Sequence, residues 1–249
     1  MLPARVAAGA AGRVIVDTHI VSVHQETPID RTFQLAIPSE AHTAFQFTPG
    51  QFVVVHDPRE AKPRRRAYSI SSPPSTAPFL ELTVRDMGTF GHAFYGLPAG
   101  TALAMRAPAG RFVLQEAPGE RVLMVAGGSG VTPFRAFVGD MQARRATTPA
   151  TLLQTAQQAE ELVFHERFTA WAHTHAPFTY VPTVTRAAPE HPWAGRRGRI
   201  DAALLHAHLG APERTRFYAC GPAPFVQAML ALAEEAGIPA DRRHKEQWG

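Results

Sequence analysis

A cluster of small residues, GGSGVTP at positions 127–133, stands between a strand-like run and a helix-like run. Glycines let a backbone come close to an anion, and the first turn of a helix offers unpaired N–H groups, so this segment is suited to bind phosphate. Pro133 occupies the third glycine position of the dinucleotide pattern G-x-G-x-x-G, and no Walker Gly-Lys-Ser/Thr follows. From these residues alone, nucleotide binding and a plain tight turn both stay open.

A serine hydrolase is a second interpretation of the same segment. Ser129 lies at a strand-to-helix turn, where a nucleophile elbow places its serine. That motif, G-x-S-x-G, requires glycine at position 131, which is Val131 here. Nothing in the sequence singles out His165, His173 or His206 as a base, so the sequence disfavours this class of enzyme.

The motif Arg66-Ala67-Tyr68-Ser69 carries side chains suited to a flat, phosphorylated cofactor. An arginine can clamp a pyrophosphate, a tyrosine can stack on a ring, and a serine can hydrogen-bond the polar atoms of that ring. A basic surface loop with one tyrosine is the alternative.

A third motif, YACGP at 218–222, follows a buried strand-like run and precedes a helix. Cys220 at such a place is usually a packing residue, but ligands bind at this edge of a parallel sheet. As the single cysteine, it excludes a disulfide framework and an iron–sulfur cluster held by four cysteines of this chain. The His-x-His pairs at 173–175 and 206–208 have no evident third ligand, so the sequence predicts no metal site.

The pattern of hydrophobic residues changes near residues 116–120, where Pro118-Gly119 marks a turn. Short alternating runs before this point predict an antiparallel β-barrel or sandwich, and strands alternating with helices after it predict a parallel α/β domain. We expect a flexible tail at 1–12, a barrel domain at 13–116 and an α/β domain at 117–249. The predicted strands are 13–23, 32–37, 51–56, 79–85, 101–105, 111–114, 121–126, 151–155, 178–184 and 215–219, and the predicted helices are 133–145, 160–171, 201–208 and 224–236.

The composition is that of an ordinary globular protein, with 45% hydrophobic and 18% charged residues among 249. No apolar run approaches the ~18 residues of a membrane helix, and residues 1–12 lack the apolar core of a signal peptide. With only one cysteine in the chain, a reducing cytoplasm is the expected location. The net charge of +4 is spread over both halves, whereas a nucleic-acid binder more often concentrates it.

Taken in order, seven short motifs resemble the ferredoxin–NADP reductase family in its broad sense. Each is weak alone, but their order and spacing over about residues 13–249 are specific. They are PGQF (49–52), RAYS (66–69), GTFGHAF (88–94), PAGRF (108–112), GGSGVTP (127–133), YACGP (218–222) and KEQW (245–248).

This resemblance implies an FAD-binding barrel followed by a domain that binds NADH or NADPH, with hydride transfer between two flat rings. By similarity, Arg66 contacts flavin phosphate, Tyr68 packs on the flavin next to Ala67, and Ser69 hydrogen-bonds the reactive edge of the ring. The other implied contacts are Thr83 and Val84 along the flavin, Gly91 and His92 in a turn at the pyrophosphate, Gly128, Gly130 and Thr132 at the nicotinamide nucleotide, and Cys220, Gly221, Pro222 and Glu246 near the point where nicotinamide meets flavin.

The last residues are also expected in the active site. By similarity with family members that finish in an aromatic residue, Trp248 lies near the isoalloxazine and covers the face that nicotinamide must reach. Glu246 would then lie close to Cys220 and Ser69. Packing of Trp248 against the barrel, merely to pin the tail, is the alternative.

Three departures from the family pattern bear on the cofactors. Gly91 stands where the family often has serine, and one cysteine cannot support the fused iron–sulfur domain of many members. Where NADPH-preferring members commonly show Ser-x-Arg, this chain has Thr155 and Gln157. Because Gln157 has no charge to pair with a 2′-phosphate, we expect NADH to serve at least comparably with NADPH, unless Arg186 and Arg199 compensate.

The resemblance implies a protein acceptor for the electrons: a carrier such as ferredoxin or flavodoxin, or an oxygenase component. A free-flavin or quinone reductase, and a flavin-binding subunit without nicotinamide turnover, are the alternatives. Arg64 and Arg65 flank the flavin motif, and with the positive net charge they fit an acidic carrier. No nucleic-acid or membrane partner is predicted, and the oligomeric state is left open.

Overall fold

The computed structural model describes residues 6–9, 13–56, 65–188 and 190–248. The chain divides into two compact units. The first comprises Met1–Leu114 with Arg135–Asp140, and the second comprises Gln115–Phe134 with Met141–Gly249. One stretch of a helix from the second half of the chain is therefore counted with the first unit.

The first unit is built on one antiparallel sheet. An isolated bridge between Ile70 and Leu82 joins the two edge strands, β5 and β6, so the sheet curls into a barrel. The strands are β1 (Val6–Gly9), β2 (Arg13–Thr27), β3 (Asp30–Ala36), β4 (Phe52–His56), β5 (Arg65–Ser69), β6 (Phe79–Arg85) and β7 (Ala102–Ala109), in the spatial order β5-β4-β7-β2-β3-β6 with β1 paired to β2.

Strand alternation explains how β6 contributes to the barrel core. Leu80, Leu82 and Val84 are apolar and two residues apart, so they share one face, and all three are buried. The register places Leu80 opposite Leu35 and Leu82 opposite Phe33 of β3. These pairs fix which face of the sheet is inside, and so which side chains are left for a ligand.

Three parts of the first unit differ from expectation. Residues 111–114 are not a strand, because Gly110 has a φ of 121° and turns the chain out of the extended conformation at the end of β7. The segment expected as a turn is a helix, α1 (Gly88–Tyr95). Strand β1 lies within the predicted tail, and the remaining tail residues, 1–5 and 10–12, fall outside the described residues.

The second unit is a parallel sheet flanked by helices. The predicted barrel and the predicted parallel α/β domain are therefore both confirmed. The strands are β8 (Arg121–Gly127), β9 (Ala150–Ala156), β10 (Phe178–Val184), β11 (Arg196–Arg197), β12 (Thr215–Pro222) and β13 (Arg243–Trp248), in the order β11-β10-β9-β8-β12-β13, and the helices are α2 (Thr132–Ala143), α3 (His165–Thr174), α4 (Ala202–Leu209) and α5 (Ala223–Glu235).

The helix ends of the second unit follow local chemistry. Asp201 caps α4, since its carboxylate accepts the N–H of Leu204 at 2.8 Å. Helix α3 begins five residues later than the predicted 160, because a 3₁₀ turn (Ala159–Glu161) comes first and Phe164 takes a left-handed φ of 62°. Across the described ranges, no helix is both long and apolar enough to span a membrane.

Candidate functional site

The order in which the chain adds strands to the parallel sheet reverses at β8. From β8 the chain adds β9, β10 and β11 on one side and then returns to place β12 on the other. The crevice outside the carboxyl ends of β8 and β12 is therefore a topological switch point, the usual ligand site of such sheets. The segment 127–133 starts at the carboxyl end of β8, and the segment 218–222 forms the carboxyl end of β12. The fold therefore brings these two motifs together at the crevice.

The two segments approach so closely at Gly130 that a side chain does not fit there. A Cβ on Gly130 would lie 2.2 Å from the carbonyl oxygen of Cys220 and 2.7 Å from the nitrogen of Gly221. Gly128 has a φ of 55°, in the region that favours glycine. After this turn α2 begins at Thr132. The result is a crevice lined by backbone next to a helix N-terminus, a geometry that suits a phosphate group.

The C-terminal strand β13 lies along β12, in parallel register. Cys220 is opposite Glu246, and Pro222 is opposite Trp248, which is half-buried. Burial and the Glu246 carboxylate raise the pKa of the Cys220 thiol well above its usual range. Cys220 is therefore a neutral thiol and not a thiolate nucleophile.

Three of the four residues predicted to affect coenzyme choice lie at the ends of β9 and β10, and the fourth follows β11. Thr155 is paired in register with Gly127, and its buried Oγ1 finds no hydrogen-bond partner among the described residues. The side chain of Arg186 donates to Oε1 of Gln157 at 3.1 Å. Arg199 is exposed. The structure thus brings Gln157 and Arg186 together, which their spacing of 29 residues did not indicate.

Sequence analysis did not identify Arg197 as a structural residue of this region. Its guanidinium donates to the carbonyl oxygens of Ala187, Ala188, His191 and Trp193 at 2.8–3.3 Å. These bonds hold the loop between β10 and β11. The only sequence signal was the Arg196-Arg197 pair, a pattern that is usually surface.

In the first unit, the RAYS motif forms the end of β5 and packs against α1. The ring of Tyr68 lies 5.4 Å from that of Phe94 and 6.3 Å from that of Phe90, both on α1. Burial raises the pKa of the Tyr68 phenol, so it stays neutral. Arg66 is exposed, and because it is two residues from Tyr68 the two side chains share a face, whereas Ala67 and Ser69 occupy the other.

Helix α1 has an uncapped N-terminus. The residue that precedes it, Met87, makes no side-chain capping hydrogen bond within the described part of the chain. The first amides of a helix have no intrahelical partner, so the N–H groups of residues 88–90 are the open donors. The N–H groups of Gly91 and His92, which were expected to serve a pyrophosphate, lie one turn further inside the helix.

The helix also explains the glycine at position 91. A Cβ on Gly91 would lie 2.9 Å from the backbone oxygen of Arg85, so a serine does not fit without a shift. The imidazole of His92 faces solvent and lies 2.7 Å from the carboxylate of Asp86. The absence of a serine at position 91 therefore follows from the close packing of α1 on β6.

Thr83 and Val84, expected along a flavin, are both buried. Val84 points into the barrel core, where strand alternation places it. The hydroxyl of Thr83 donates to Oγ of Ser71 at 3.0 Å and lies 2.9 Å from Oγ1 of Thr32. The structure therefore places both side chains inside the unit and not on an open surface.

The hydrolase and metal alternatives gain no geometric support. Ser129 is part of the 3₁₀ turn Gly128–Val131, and among the described residues no hydrogen bond joins it to a histidine. In the same part of the chain, no group of three or more His, Cys, Asp or Glu residues is placed to hold a metal ion.

Two protein families match the two halves of the chain. The oxidoreductase FAD-binding domain family matches residues 17–114, and the oxidoreductase NAD-binding domain family matches residues 124–230. The first covers the barrel strands from β2 onward, and the second covers the switch-point crevice. The chain thus contains an FAD-binding domain and a pyridine nucleotide-binding domain.

Several curated relatives are named as reductase subunits or components of oxygenases. The glycine betaine monooxygenase reductase subunit of Chromohalobacter salexigens is 28% identical over 92% of this chain and 63% of its own length. The reductase component of phenol 2-monooxygenase from Pseudomonas sp. (strain CF600) is 32% identical over 66% of this chain and 48% of its own. The chain spans less than two thirds of the length of these relatives.

Solved structures share the fold over nearly the whole chain. A ferredoxin NADP+ reductase from Neisseria gonorrhoeae with bound FAD and NADP has a TM-score of 0.79 and 25% identity, and covers 94% of this chain and 98% of its own. An Amycolatopsis cytochrome P450 reductase has a TM-score of 0.80 and 25% identity, and covers 97% of this chain and 73% of its own. With both family matches and this shared fold, the chain belongs to the ferredoxin–NADP reductase superfamily.

Proposed function

We propose that this protein is a flavin-dependent reductase that takes a hydride from NADH or NADPH onto FAD and passes the electrons to a protein acceptor. The observation that carries the proposal is the backbone crevice at Gly130, in a chain that also has the FAD-binding domain. FAD, when bound, accepts two electrons as a hydride and releases them one at a time. The protein supplies binding, orientation and electrostatics.

The residues of the first unit fit a flavin with a pyrophosphate. The open amides at residues 88–90 supply hydrogen-bond donors for an anion, and the exposed guanidinium of Arg66 supplies a positive charge. Tyr68, neutral and packed on α1, presents an aromatic face. Ser69 ends the same strand and is proposed to hydrogen-bond the ring edge.

The residues of the second unit fit a nicotinamide nucleotide. The crevice at Gly130 and the start of α2 at Thr132 receive the phosphates, and the unpartnered Oγ1 of Thr155 is a hydrogen-bond donor or acceptor at the same sheet edge. A buried polar group without a partner costs stability, which a bound ligand removes. We propose that Cys220 and Glu246, paired across β12 and β13, contact the nicotinamide.

The activity is tested by measuring the rate at which FAD-loaded protein oxidises NADH with each of three acceptors. These are ferricyanide, which accepts one electron, free FMN and menadione. The proposal expects fast turnover with ferricyanide. Saturable turnover that is faster with free FMN or menadione would favour a free-flavin or quinone reductase. Oxidation of neither NADH nor NADPH with any acceptor would favour a flavin-binding subunit without turnover.

Coenzyme choice is expected to depend on the contact between Gln157 and Arg186. NADH should serve at least comparably with NADPH, since Gln157 is neutral. Gln157→Arg places two guanidinium groups side by side, and a 2′-phosphate relieves their repulsion, so the ratio of kcat/KM for NADPH to that for NADH should rise about ten-fold. Gln227→Arg, which adds the same charge at an exposed position of α5, is the control. A wild-type preference of a hundred-fold for NADPH would show that residues other than Gln157, with Arg186 and Arg199 as the candidates, bind the phosphate.

The C-terminal Trp248 is proposed to cover the flavin face that the nicotinamide must reach. Deleting residues 248–249 should leave the fold and FAD content unchanged but alter the KM for NADH and the flavin absorbance spectrum. Replacing exposed Gln247 by alanine is the control, because it keeps the tryptophan. Unaltered coenzyme kinetics and absorbance after the deletion would mean that Trp248 only pins the strand.

The proposed acceptor is an oxygenase component or an acidic carrier such as ferredoxin or flavodoxin; the relatives named above favour the former. Arg65 is exposed, and Arg64 lies outside the described residues. If these arginines steer an anionic partner, carrier reduction should slow with rising salt, and the double Arg64→Ala/Arg65→Ala variant should show a shallower salt dependence. As the control, the rate of flavin reduction by NADH should be the same in the wild type and the double variant. Identical salt profiles would contradict steering by this pair.

A further inference from the structure

An apolar cavity of about 350 Å³ opens on the first unit, between the loop after β3 and the segment that leads into β6. Buried Phe45 and Leu80 form its floor, and half-buried Phe47 and Phe79 form its walls. Its volume falls in the range of small-ligand pockets. At about 30 Å³ per water-sized group, it holds roughly ten non-hydrogen atoms.

This cavity is separate from the candidate flavin surface. Phe79 lines the cavity at the start of β6, whereas Arg85, at the other end of β6, contacts α1. Roughly six strand steps of about 3.3 Å separate the two ends by about 20 Å. A ligand in the cavity would therefore not reach the pyrophosphate site proposed at α1, and none of the residues assigned to FAD lines the cavity, so the inference does not depend on the proposed function.

Hydrogen bonds hold both walls of the cavity in place. The N–H of Ile37 donates to the carbonyl oxygen of Pro78 at 2.9 Å, which ties the loop to the opposite segment. The hydroxyl of Thr76 donates to the carbonyl oxygen of Pro73 at 2.8 Å. The cavity is thus formed before any ligand enters, as is usual for small-molecule sites.

The polar rim of the cavity defines the kind of ligand. Nε2 of His42 lies 3.0 Å from the carbonyl oxygen of Ile37. Since a carbonyl oxygen only accepts, Nε2 carries the proton, and Nδ1 of the neutral ring is then an acceptor. Gln46 lies on the same rim and offers an amide. An acceptor at the edge of an apolar cavity selects a ligand with a hydroxyl group.

We propose that this cavity binds small, mainly apolar phenols or alcohols. The hydrocarbon part packs among Phe45, Phe47 and Phe79, and the hydroxyl donates to Nδ1 of His42. No other chemistry is required of the site, which is a binding site and not a catalytic one.

The test is a titration of isotope-labelled, FAD-loaded protein with para-ethylphenol and with ethylbenzene, which has the same frame without the hydroxyl. In NMR spectra, the chemical shifts of the backbone amides should change in residues 37–47 and 74–80. The dissociation constant for para-ethylphenol should be on the order of 1 mM. Ethylbenzene should bind there about five-fold more weakly, the effect of one neutral hydrogen bond. Shifts confined to other residues, or equal affinities, would overturn the proposal without bearing on reductase activity.

A variant pair tests the role of His42 itself. His42→Phe keeps a flat ring but removes the acceptor, so it should bind para-ethylphenol no better than ethylbenzene. His24→Phe changes an exposed histidine on β2, away from the cavity, and should behave as the wild type. An undiminished preference for para-ethylphenol in His42→Phe would contradict the assignment of the hydroxyl contact.

Discussion

Gly130→Ala is expected to weaken NADH binding by about 10- to 100-fold, while the FAD content stays unchanged. The added Cβ would lie 2.2 Å from the carbonyl oxygen of Cys220, so the crevice backbone must move. A displaced N–H group loses its hydrogen bond to a charged phosphate, about 1.5–3 kcal/mol, and about 1.4 kcal/mol corresponds to a ten-fold change in affinity. The measurement is the dissociation constant for NADH by fluorescence titration.

Ser129→Ala is the matched control for that variant. It changes the neighbouring residue of the same turn but adds no atom to the crevice, so NADH binding should match the wild type. Circular dichroism of both variants checks that the fold is retained. If Gly130→Ala folds and binds NADH like the wild type, the crevice between β8 and β12 is not the coenzyme site.

Arg66→Ala is expected to weaken FAD binding by ten-fold or more. A charge-assisted hydrogen bond to phosphate contributes about 1.5–3 kcal/mol, which is roughly one to two decades of affinity. The measurement is the dissociation constant of FAD for the apoprotein, prepared by removing the flavin. The effect should fall with added salt, because the lost interaction is between charges.

Arg65→Ala is the control for the flavin prediction. Arg65 precedes Arg66 on β5, and successive side chains of a strand point to opposite faces, so the two variants lose the same charge on different sides. Equal losses of FAD affinity in both variants would indicate general electrostatic attraction and contradict a specific contact from Arg66.

Period and composition predicted most of the fold. The bounds of β6 and β10 agree with the predicted 79–85 and 178–184, because the first run alternates and the second consists mostly of β-branched and aromatic residues. Helix α1 was not predicted, since Gly88 and Gly91 are poor helix formers. Its stability comes from tertiary contacts such as the stacking of Phe94 on Phe33 at 4.9 Å, which no local pattern reveals.

The candidate site was predicted unevenly for the same reason. The glycine turn and YACGP were placed at the sheet edge because strand–turn–helix order is local, and the topology then joined them. The contact of Gln157 with Arg186 joins two loops 29 residues apart, and the four carbonyl contacts of Arg197 depend on how the loop before β11 folds, so both required the structure. Val84 was assigned to the flavin by resemblance, and alternation along β6 places its side chain in the core, a burial that the resemblance alone did not indicate.

The most direct test of the account is anaerobic addition of NADH to the purified protein, with mass analysis of the released flavin. The protein should be yellow, it should release FAD, and its flavin absorbance should bleach when NADH is added. Release of FMN alone would contradict the assignment of a pyrophosphate site at α1, and bound FAD that neither NADH nor NADPH bleaches would contradict the proposed reductase.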